Sequence, residues 1–484
     1  MTHRLSFAAL AVAGCVLAGA GAAAQGSLAT DLDAIFANPV LARAVMAVRV
    51  ESLTSGQIVY ERHADTLVMP ASNMKLVTIA VAAERLGWNY RYETRLESAG
   101  SIKDGMLTGD LIVTGSGDPS IGSADTGHAA LFLEWADALS RAGITRVNGR
   151  LIGDDNAFDD DGLGAGWAWD YLSAGYAAPT GALSYNENAA VALITAGATV
   201  GAPATIVIGP PGHGLDVVAD VVTRDAAATA TIDLRRPLLQ RALMISGHVP
   251  LNGPVVARTA AVDNPTRYFV DALALALASR GITVSHGAWD IDELTAPARV
   301  DNRRLIASHQ SEPLSTLAGY AMKVSQNFYG ETFLKTLGRV DGRPGTAAAG
   351  LQRVRETLAS WGIAADSTII VDGSGLSRYN YLTATAIVGV LKHVWSSEAL
   401  RGPFVAELPV GGRDGSLELR MRSTVLDRNV QAKTGTISNA RALSGYLQTA
   451  AGEKLVFSMI ANNYTAPSAQ IDAVVERALV RLVN

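Results

Sequence analysis

The chain has 484 residues, 49% hydrophobic, 18% charged and 6% aromatic, and this composition excludes disordered, collagenous and low-complexity proteins. The 40 Lys and Arg against 45 Asp and Glu give a formal charge of −5, which is not the electrostatic signature of a nucleic-acid-binding protein. One cysteine, Cys15, excludes an intramolecular disulfide and a Cys cluster for zinc or iron–sulfur, and the length predicts roughly three domains.

Residues 1–24 predict a cleaved export signal and a periplasmic location. Arg4 supplies one positive charge, residues 5–24 form an unbroken apolar and small-residue run, and Ala22-Ala23-Ala24 fits the small residues preferred before a cleavage site. Two alternatives stay open: a lipoprotein signal, in which an acylated Cys15 would anchor the chain in the envelope, and an uncleaved N-terminal anchor. No later segment has the roughly 18 to 20 uninterrupted apolar residues of a membrane span.

After the signal, residues 45–50 and 57–60 predict a β-hairpin around a turn at residues 52–56. Pro70-Ala71-Ser72 then leads into residues 73–86, in which apolar side chains recur at helical spacing up to Gly87. We therefore predict that Ser72 opens a largely apolar, buried helix.

Ser72 and Lys75 form a Ser-x-x-Lys string at the start of this helix. One helical turn separates the two side chains, so the hydroxyl and the amine lie on one face and can form a hydrogen bond. Serine is a weak nucleophile until a base removes its proton, and a lysine in a low-dielectric pocket can act as that base because burial lowers its pKa. The string alone is weak, since it arises often by chance.

Residues 96–299 differ from the rest of the chain in their sequence pattern. Short β-like runs at 111–114, 150–152 and 204–208 are separated by Gly, Asp and Pro. We predict a β-rich insertion of one or two domains between the two parts of a catalytic domain, residues 25–95 and 300–484.

Two features within the insertion invite a ligand but favour a structural interpretation. The acidic stretch 154–161 lacks the alternate ligand spacing of a calcium loop and predicts a solvated loop. Trp167 and Trp169 could stack on a sugar, yet their setting favours packing at a domain edge. No His-Glu-x-x-His pattern is present, so the sequence predicts neither a metal nor a cofactor.

Two further strings follow the insertion. Ser325-Gln326-Asn327 lies between the helical patterns of residues 314–322 and 328–337, and Lys433-Thr434-Gly435 lies on a strand predicted at residues 430–436. Strands at 442–448 and 455–461 and a closing helix follow. Lys433 and Thr434 offer a cation and a hydroxyl, and Gly435 would let a substrate backbone approach closely. Asp372-Gly373-Ser374-Gly375 is interpreted as a structural turn, because no helix opens at Ser374.

The order Ser-x-x-Lys, Ser-x-Asn, Lys-Thr-Gly is the signature set of penicillin-recognising serine enzymes. With these strings, the 253 residues between Ser72 and Ser325 make the chain resemble the class C low-molecular-mass penicillin-binding proteins, the D-alanyl-D-alanine carboxypeptidase and endopeptidase family. Further strings that look like motifs of that family are Asp372-Gly-Ser-Gly-Leu-Ser-Arg, Leu408-Pro-Val-Gly-Gly-Arg-Asp-Gly and Gly115-Ser-Gly-Asp-Pro.

The resemblance implies an α/β (α+β) fold, in which a β-lactamase-like transpeptidase domain with a central antiparallel sheet flanked by helices carries the β-rich insertion. It also implies an acyl-enzyme on peptidoglycan stem peptides and cross-links, with β-lactams as inhibitors. The implied roles are Ser72 as nucleophile, Lys75 as its base, Ser325 as proton shuttle, Asn327 as a substrate-peptide ligand, Lys433 and Thr434 as carboxylate ligands, and the backbone N–H groups of Ser72 and Thr436 as oxyanion hole.

Two alternatives remain at this stage. A β-lactamase or esterase on the same scaffold would release β-lactams quickly, but the sequence offers no acidic residue assignable as a deacylating base. A catalytically silent cell-wall-binding protein is opposed by the three intact strings. The sequence leaves open the preference between trimming peptides and cutting cross-links.

Overall fold

The computed structural model describes residues 28–123, 127, 129–237, 242–295, 303–339 and 341–484. The predicted export signal and Cys15 lie outside these residues. Within the described part of the chain, no helix is long and apolar enough to cross a membrane.

The strands are short to medium in length and are distributed along the whole chain. In chain order they are β1 (Val45–Ser52), β2 (Ile58–Arg62), β3 (Glu93–Lys103), β4 (Met106–Thr114), β5 (Arg146–Asn148), β6 (Leu151–Asp154), β7 (Ala189–Thr195), β8 (Thr205–Gly209), β9 (Asp216–Arg224), β10 (Thr231–Arg235), β11 (Ala242–Pro250), β12 (Val256–Ala261), β13 (Thr283–Val284), β14 (Ala288–Asp290), β15 (Arg303–Gln310), β16 (Thr368–Ile369), β17 (Tyr381–Leu382), β18 (Gln431–Ile437), β19 (Ala440–Gln448) and β20 (Lys454–Asn462).

Most helices belong to the two ends of the chain. In chain order the described helices are α1 (residues 28–36), α2 (Met74–Leu86), α3 (Ala130–Arg141), α4 (Pro265–Ser279), α5 (Leu314–Lys323), α6 (Asn327–Leu337), α7 (Ala347–Ser360), α8 (Ala384–Ser396), α9 (Glu398–Glu407) and α10 (Ser468–Val483).

A five-stranded antiparallel sheet joins the two chain ends in the order β18-β19-β20-β1-β2. Alternate residues of β1 face opposite sides of this sheet. Ala47 packs into the hydrophobic cluster that contains α2, α5, α6 and α8, whereas Val48 and Val50 pack into the cluster that contains α1 and α10. The predicted fold class, with a central antiparallel sheet flanked by helices, is confirmed.

Helix α2 lies in the interior, since all of Met74–Ala83 is buried. A helix that is apolar on all sides belongs in the interior, and the polar Lys75 and Thr78 are carried there with it. The helix ends at Gly87, whose φ of 80° suits glycine after a last helical turn. Helix α10 instead buries one face, formed by apolar residues at helical spacing: Ile471, Val474, Val475, Ala478, Leu479 and Leu482.

The middle of the chain forms three sheets. A seven-stranded mixed sheet contains β3, β4, β5, β6, β13, β14 and β15, and two three-stranded sheets have the orders β12-β7-β8 and β10-β11-β9. The first sheet starts at Glu93 and its last strand ends at Gln310, a little outside the predicted limits of 96 and 299. It also packs against α3 and α4, two helices that the sequence analysis did not predict in this β-rich region.

Candidate active site

Ser72 lies in a 3-10 turn, Ala71–Asn73, directly before α2. The side chain of Asn73 fixes this turn to the sheet: its Nδ2 donates to the Lys433 carbonyl of β18 at 2.8 Å, and its Oδ1 accepts a hydrogen bond from Ser444 of β19 at 2.6 Å. Ala71 has a left-handed φ of 46°, which costs free energy for a residue with a side chain. The strained turn persists because the two Asn73 hydrogen bonds attach it to β18 and β19.

Two glycines let neighbouring backbone approach this turn. A Cβ added to Gly375 would lie 1.9 Å from the Ala71 carbonyl oxygen, and one added to Gly435 would lie 2.7 Å from the Pro70 carbonyl oxygen. The sequence analysis assigned Gly435 to close approach of a substrate backbone. That role stays a prediction; in the structure β18 packs directly on the turn, and the space where a Cβ of residue 435 would lie holds the backbone that precedes Ser72.

Lys75 points at Ser72 from inside the protein. Its Nζ donates to Ser72 Oγ at 3.0 Å, to Asn327 Oδ1 at 2.7 Å and to the Ser374 carbonyl at 2.8 Å, and its side chain is 0% exposed. Burial lowers the pKa of Lys75 to about 7, although the nearby Asp372 and Glu331 carboxylates oppose that shift. An amine with this pKa that is hydrogen-bonded to a hydroxyl is suited to remove the proton of that hydroxyl near neutral pH.

Two buried carboxylates hold the turn that contains the Ser374 carbonyl, which accepts a hydrogen bond from Lys75. Glu331 on α6 accepts the backbone N–H groups of Gly373 and Ser374, and Asp372 accepts those of Gly375 and Ser377. Burial, and then the charge of the neighbouring Asp372, raise the pKa of Glu331 to about 7. The Asp372 turn is therefore a structural element beside Lys75, and Ser374 is 0% exposed.

A second lysine approaches from the opposite side. Lys433 Nζ donates to Ser325 Oγ at 2.8 Å and to the Thr434 carbonyl at 2.9 Å. Burial, and then the charge of Lys75, hold the pKa of Lys433 well below its usual value. Ser325 has a left-handed φ of 64°, and Asn327 opens α6 with its Nδ2 bonded to the Tyr176 carbonyl at 2.9 Å.

Two threonines of β18 face the same opening and bring partners that the sequence analysis missed. Thr434 donates through Oγ1 to Ser416 Oγ at 2.6 Å, and Thr436 accepts a hydrogen bond from the Arg441 guanidinium. The adjacent strand β19 places Arg441 opposite Thr436 in register, which only the sheet topology reveals. Ser416 directly follows the 408–415 string already noted in the sequence, but nothing in that string indicates a hydroxyl contact.

A cleft of about 790 Å³ lies between these elements. Five of the predicted residues line it: Ser72, Ser325, Asn327, Thr434 and Thr436. Lys75 and Lys433 are buried and reach it through their hydrogen bonds to Ser72 and Ser325, and Gly435 faces the Ser72 turn. The structure thus brings all the predicted residues to one place, where the predicted nucleophile, its predicted base and a second lysine–serine pair surround a space of substrate size.

A larger cavity of about 1010 Å³ shares no lining residue with this cleft. Three of its lining residues are Asp155, Asp290 and Asp292, whose carboxylate oxygens lie within 4.8 Å of one another. Part of the predicted solvated loop, residues 154–161, therefore lines a cavity. Burial raises the pKa of Asp155 to about 6. Thr266 donates to Asp155 and Asn264 to Asp290, and we assign no ion to this group.

The two tryptophans of the insertion occupy different environments. Trp167 packs beside Ala71 and Leu376, and its Nε1 donates to Asp372 at 3.0 Å. Trp169 is 66% exposed and lines the larger cavity. The packing predicted for the pair therefore holds for Trp167 and not for Trp169.

Comparison with known proteins gives consistent similarities. The model of the D-Ala-D-Ala carboxypeptidase 3 (S13) family matches residues 28–481. A D-alanyl-D-alanine carboxypeptidase from Actinomadura sp. (strain R39) is 31% identical over 93% of this chain and 84% of its own length. The crystal structure of penicillin binding protein 4 (dacB) from Haemophilus influenzae matches with a TM-score of 0.78 at 26% identity, over 90% of this chain and 94% of that one. A second structure of that protein, complexed with a β-lactam, matches over the same shares with a TM-score of 0.73 at 25% identity.

Proposed function

Because the chain belongs to the D-Ala-D-Ala carboxypeptidase 3 (S13) family, we propose that the cleft around Ser72 is its active site and that the predicted residues carry the reaction. The chain is a serine-type D-alanyl-D-alanine carboxypeptidase and a penicillin-binding protein. The observation that carries the assignment of residues is the 3.0 Å hydrogen bond between Ser72 Oγ and the fully buried Lys75 amine.

Acylation starts with Lys75 in its neutral form. Lys75 takes the proton of Ser72 as Oγ attacks the carbonyl carbon between two D-alanines, so an O–C bond forms and the carbonyl oxygen becomes an oxyanion. The backbone N–H groups of Ser72 and Thr436 stabilise that charge. When the C–N bond breaks, the proton that Lys75 received passes through Ser325 to the leaving amine, and Lys75 is neutral again; the Ser325 hydroxyl already accepts a hydrogen bond from Lys433.

The terminal D-alanine is recognised through its carboxylate. Thr434 and Lys433 lie together at the cleft, and a carboxylate beside Lys433 would raise the pKa that burial has lowered. Asn327 holds the peptide from the opposite wall. A water molecule then gives a proton to Lys75 and attacks the ester carbonyl carbon, and Lys75 passes this proton to Ser72 Oγ as the O–C bond breaks, which releases the shortened peptide and leaves Lys75 neutral.

Acylation by penicillin should rise with pH and level off above about 7, because protonated Lys75 cannot accept the Ser72 proton. Glu331→Gln should move the acid limb to lower pH: the Glu331 carboxylate raises the pKa of Lys75, so its removal lowers that pKa. Stopped-flow acylation rates between pH 5 and 9 test this, and the limb position does not depend on the fraction of active protein. An unmoved limb, or one moved to higher pH, would rule out the electrostatic role of Glu331.

Cross-link cleavage belongs to the same proposal, since both reactions break an acyl bond of a D-alanine with the same groups. We expect the enzyme to release D-alanine from a muropeptide pentapeptide and to convert a cross-linked dimer to monomers, both measured by liquid chromatography and mass spectrometry. Penicillin should stop both activities together. Dimer cleavage that survives full labelling by penicillin would separate endopeptidase activity from this site.

Export to the periplasm is proposed on the basis of the N-terminal sequence and of a substrate that lies in the cell wall. The mass of the mature protein should correspond to a chain that starts at Gln25. A mature chain that starts at a lipid-modified Cys15 would replace free export by anchoring in the envelope.

A further inference from the structure

The inserted region contacts the Ser325–Asn327 segment through an unusual turn. Asn186, Glu187 and Asn188 have φ values of 50°, 55° and 54°, so three consecutive residues with side chains adopt the left-handed region. Such residues occur singly in most proteins because each costs free energy. A run of three such residues therefore persists only because the surrounding structure holds it.

Hydrogen bonds on both sides of Glu187 hold this turn. Asn188 Nδ2 donates to the Pro179 carbonyl at 2.8 Å and to Ser184 Oγ at 3.1 Å. Asn186 Nδ2 donates to the Ala189 carbonyl at 2.6 Å, and both asparagines are buried. The backbone is thus fixed on either side of Glu187, whose side chain projects out of the inserted region.

Glu187 places its two carboxylate oxygens on two donors of the catalytic domain. Oε1 accepts a hydrogen bond from Tyr320 at 2.6 Å, on the last part of α5, and Oε2 accepts one from Gln326 Nε2. Gln326 is the middle residue of the Ser-x-Asn string, between Ser325 and Asn327. A carboxylate can accept both bonds, whereas an amide at residue 187 would turn its NH2 group toward one of the donors.

The segment that Glu187 contacts is short, and Lys433 also holds it, through the 2.8 Å hydrogen bond from its Nζ to Ser325 Oγ. Residues 324–326 alone connect α5 to α6, and the cap that Gln326 provides to the Phe328 N–H is long, at 3.4 Å. The segment also contains the left-handed Ser325. A second contact from the inserted region, the Tyr176 carbonyl, accepts from Asn327 Nδ2 at 2.9 Å.

We propose that Glu187 is a positioning residue for catalysis: the strained 186–188 turn of the inserted region presents its carboxylate to Gln326 and thereby fixes Ser325 and Asn327 beside Lys433 and Lys75. The inserted region then completes the active site, although it supplies neither nucleophile nor base. This inference rests on the proposed function, because it assumes that Ser325 and Asn327 act in acylation.

The test is a double-mutant cycle on the acylation step. Glu187→Gln and Gln326→Ala should each lower the rate constant of acylation by penicillin about 10- to 100-fold, since small displacements of catalytic groups have effects of this size. The loss should fall on the chemical step and not on the initial binding of penicillin. The double variant should be no slower than the slower single variant, because both changes break the same contact.

Glu97→Gln is the matched control, since Glu97 pairs with Arg303 inside the inserted sheet and lies outside the cleft. It should acylate at the wild-type rate. Wild-type rates in Glu187→Gln, or losses that multiply in the double variant, would overturn the positioning role while leaving the proposed function in place. A wild-type protein that penicillin does not label would overturn both.

Discussion

We expect that replacing Ser72 with alanine abolishes covalent labelling by penicillin and leaves the protein folded. The change removes the only atom proposed to form the acyl bond, and no other group takes over a nucleophile whose base is fixed beside it. The 70–73 turn keeps its attachment to the sheet through Asn73, and Lys75 keeps its bonds to Asn327 and Ser374. Stability should therefore change little.

The Ser72→Ala variant is measured by intact-protein mass spectrometry and by thermal unfolding. Ser396→Ala is a suitable control, since Ser396 is an exposed serine at the end of α8, outside the cleft, and should label like the wild type. One-to-one labelling of Ser72→Ala would move the nucleophile elsewhere.

Replacing Lys75 with alanine should slow acylation by about 100- to 10,000-fold without preventing it, which is the usual contribution of a general base. Ser72 would keep its position and the oxyanion donors but would have to lose its proton to water. The pKa of Lys433 should rise at the same time, because the Lys75 charge is one of the causes that lower it.

The Lys75→Ala rate is followed with a fluorescent penicillin under single-turnover conditions. Lys392→Ala provides a comparison, since this lysine pairs with Glu51 outside the cleft and should leave the rate unchanged. An acylation rate near that of the wild type would reject Lys75 as the base.

The elements that bear the site could be predicted because their signals are local. The apolar run after Ser72 fixes a buried helix, and the three C-terminal strands follow from alternating or continuous apolar residues between turns. The two helices of the inserted region were not predicted, because the many Gly and Asp residues of this region favoured an interpretation as short strands and turns. Helix α4 nevertheless has a clear start, with Asn264 as N-cap and Pro265 at the first position.

The predicted site residues came from three strings, but what makes them reactive is tertiary. Helix α6 and the 372–377 turn lie far from Lys75 in sequence. They bury its amine and supply the two carboxylates that oppose the lowering of its pKa. Asn73 and Glu187 gave no local signal, because each acts on a partner more than 100 residues away. Gly435 shows the converse, since the sequence string marks the residue, but only the tertiary structure shows that its missing Cβ lets β18 pack on the Ser72 turn.

Intact-protein mass spectrometry of the wild-type enzyme, mixed with penicillin and then supplied with a pentapeptide ending in D-Ala-D-Ala, tests the proposed active site most directly. We expect one penicillin adduct per chain, mapped by proteolysis to the peptide that contains Ser72, and persistent over minutes. Unlabelled enzyme should release one D-alanine per peptide, and labelled enzyme none. An adduct on another residue would contradict the assignment, as would an adduct that disappears within seconds without any release of D-alanine.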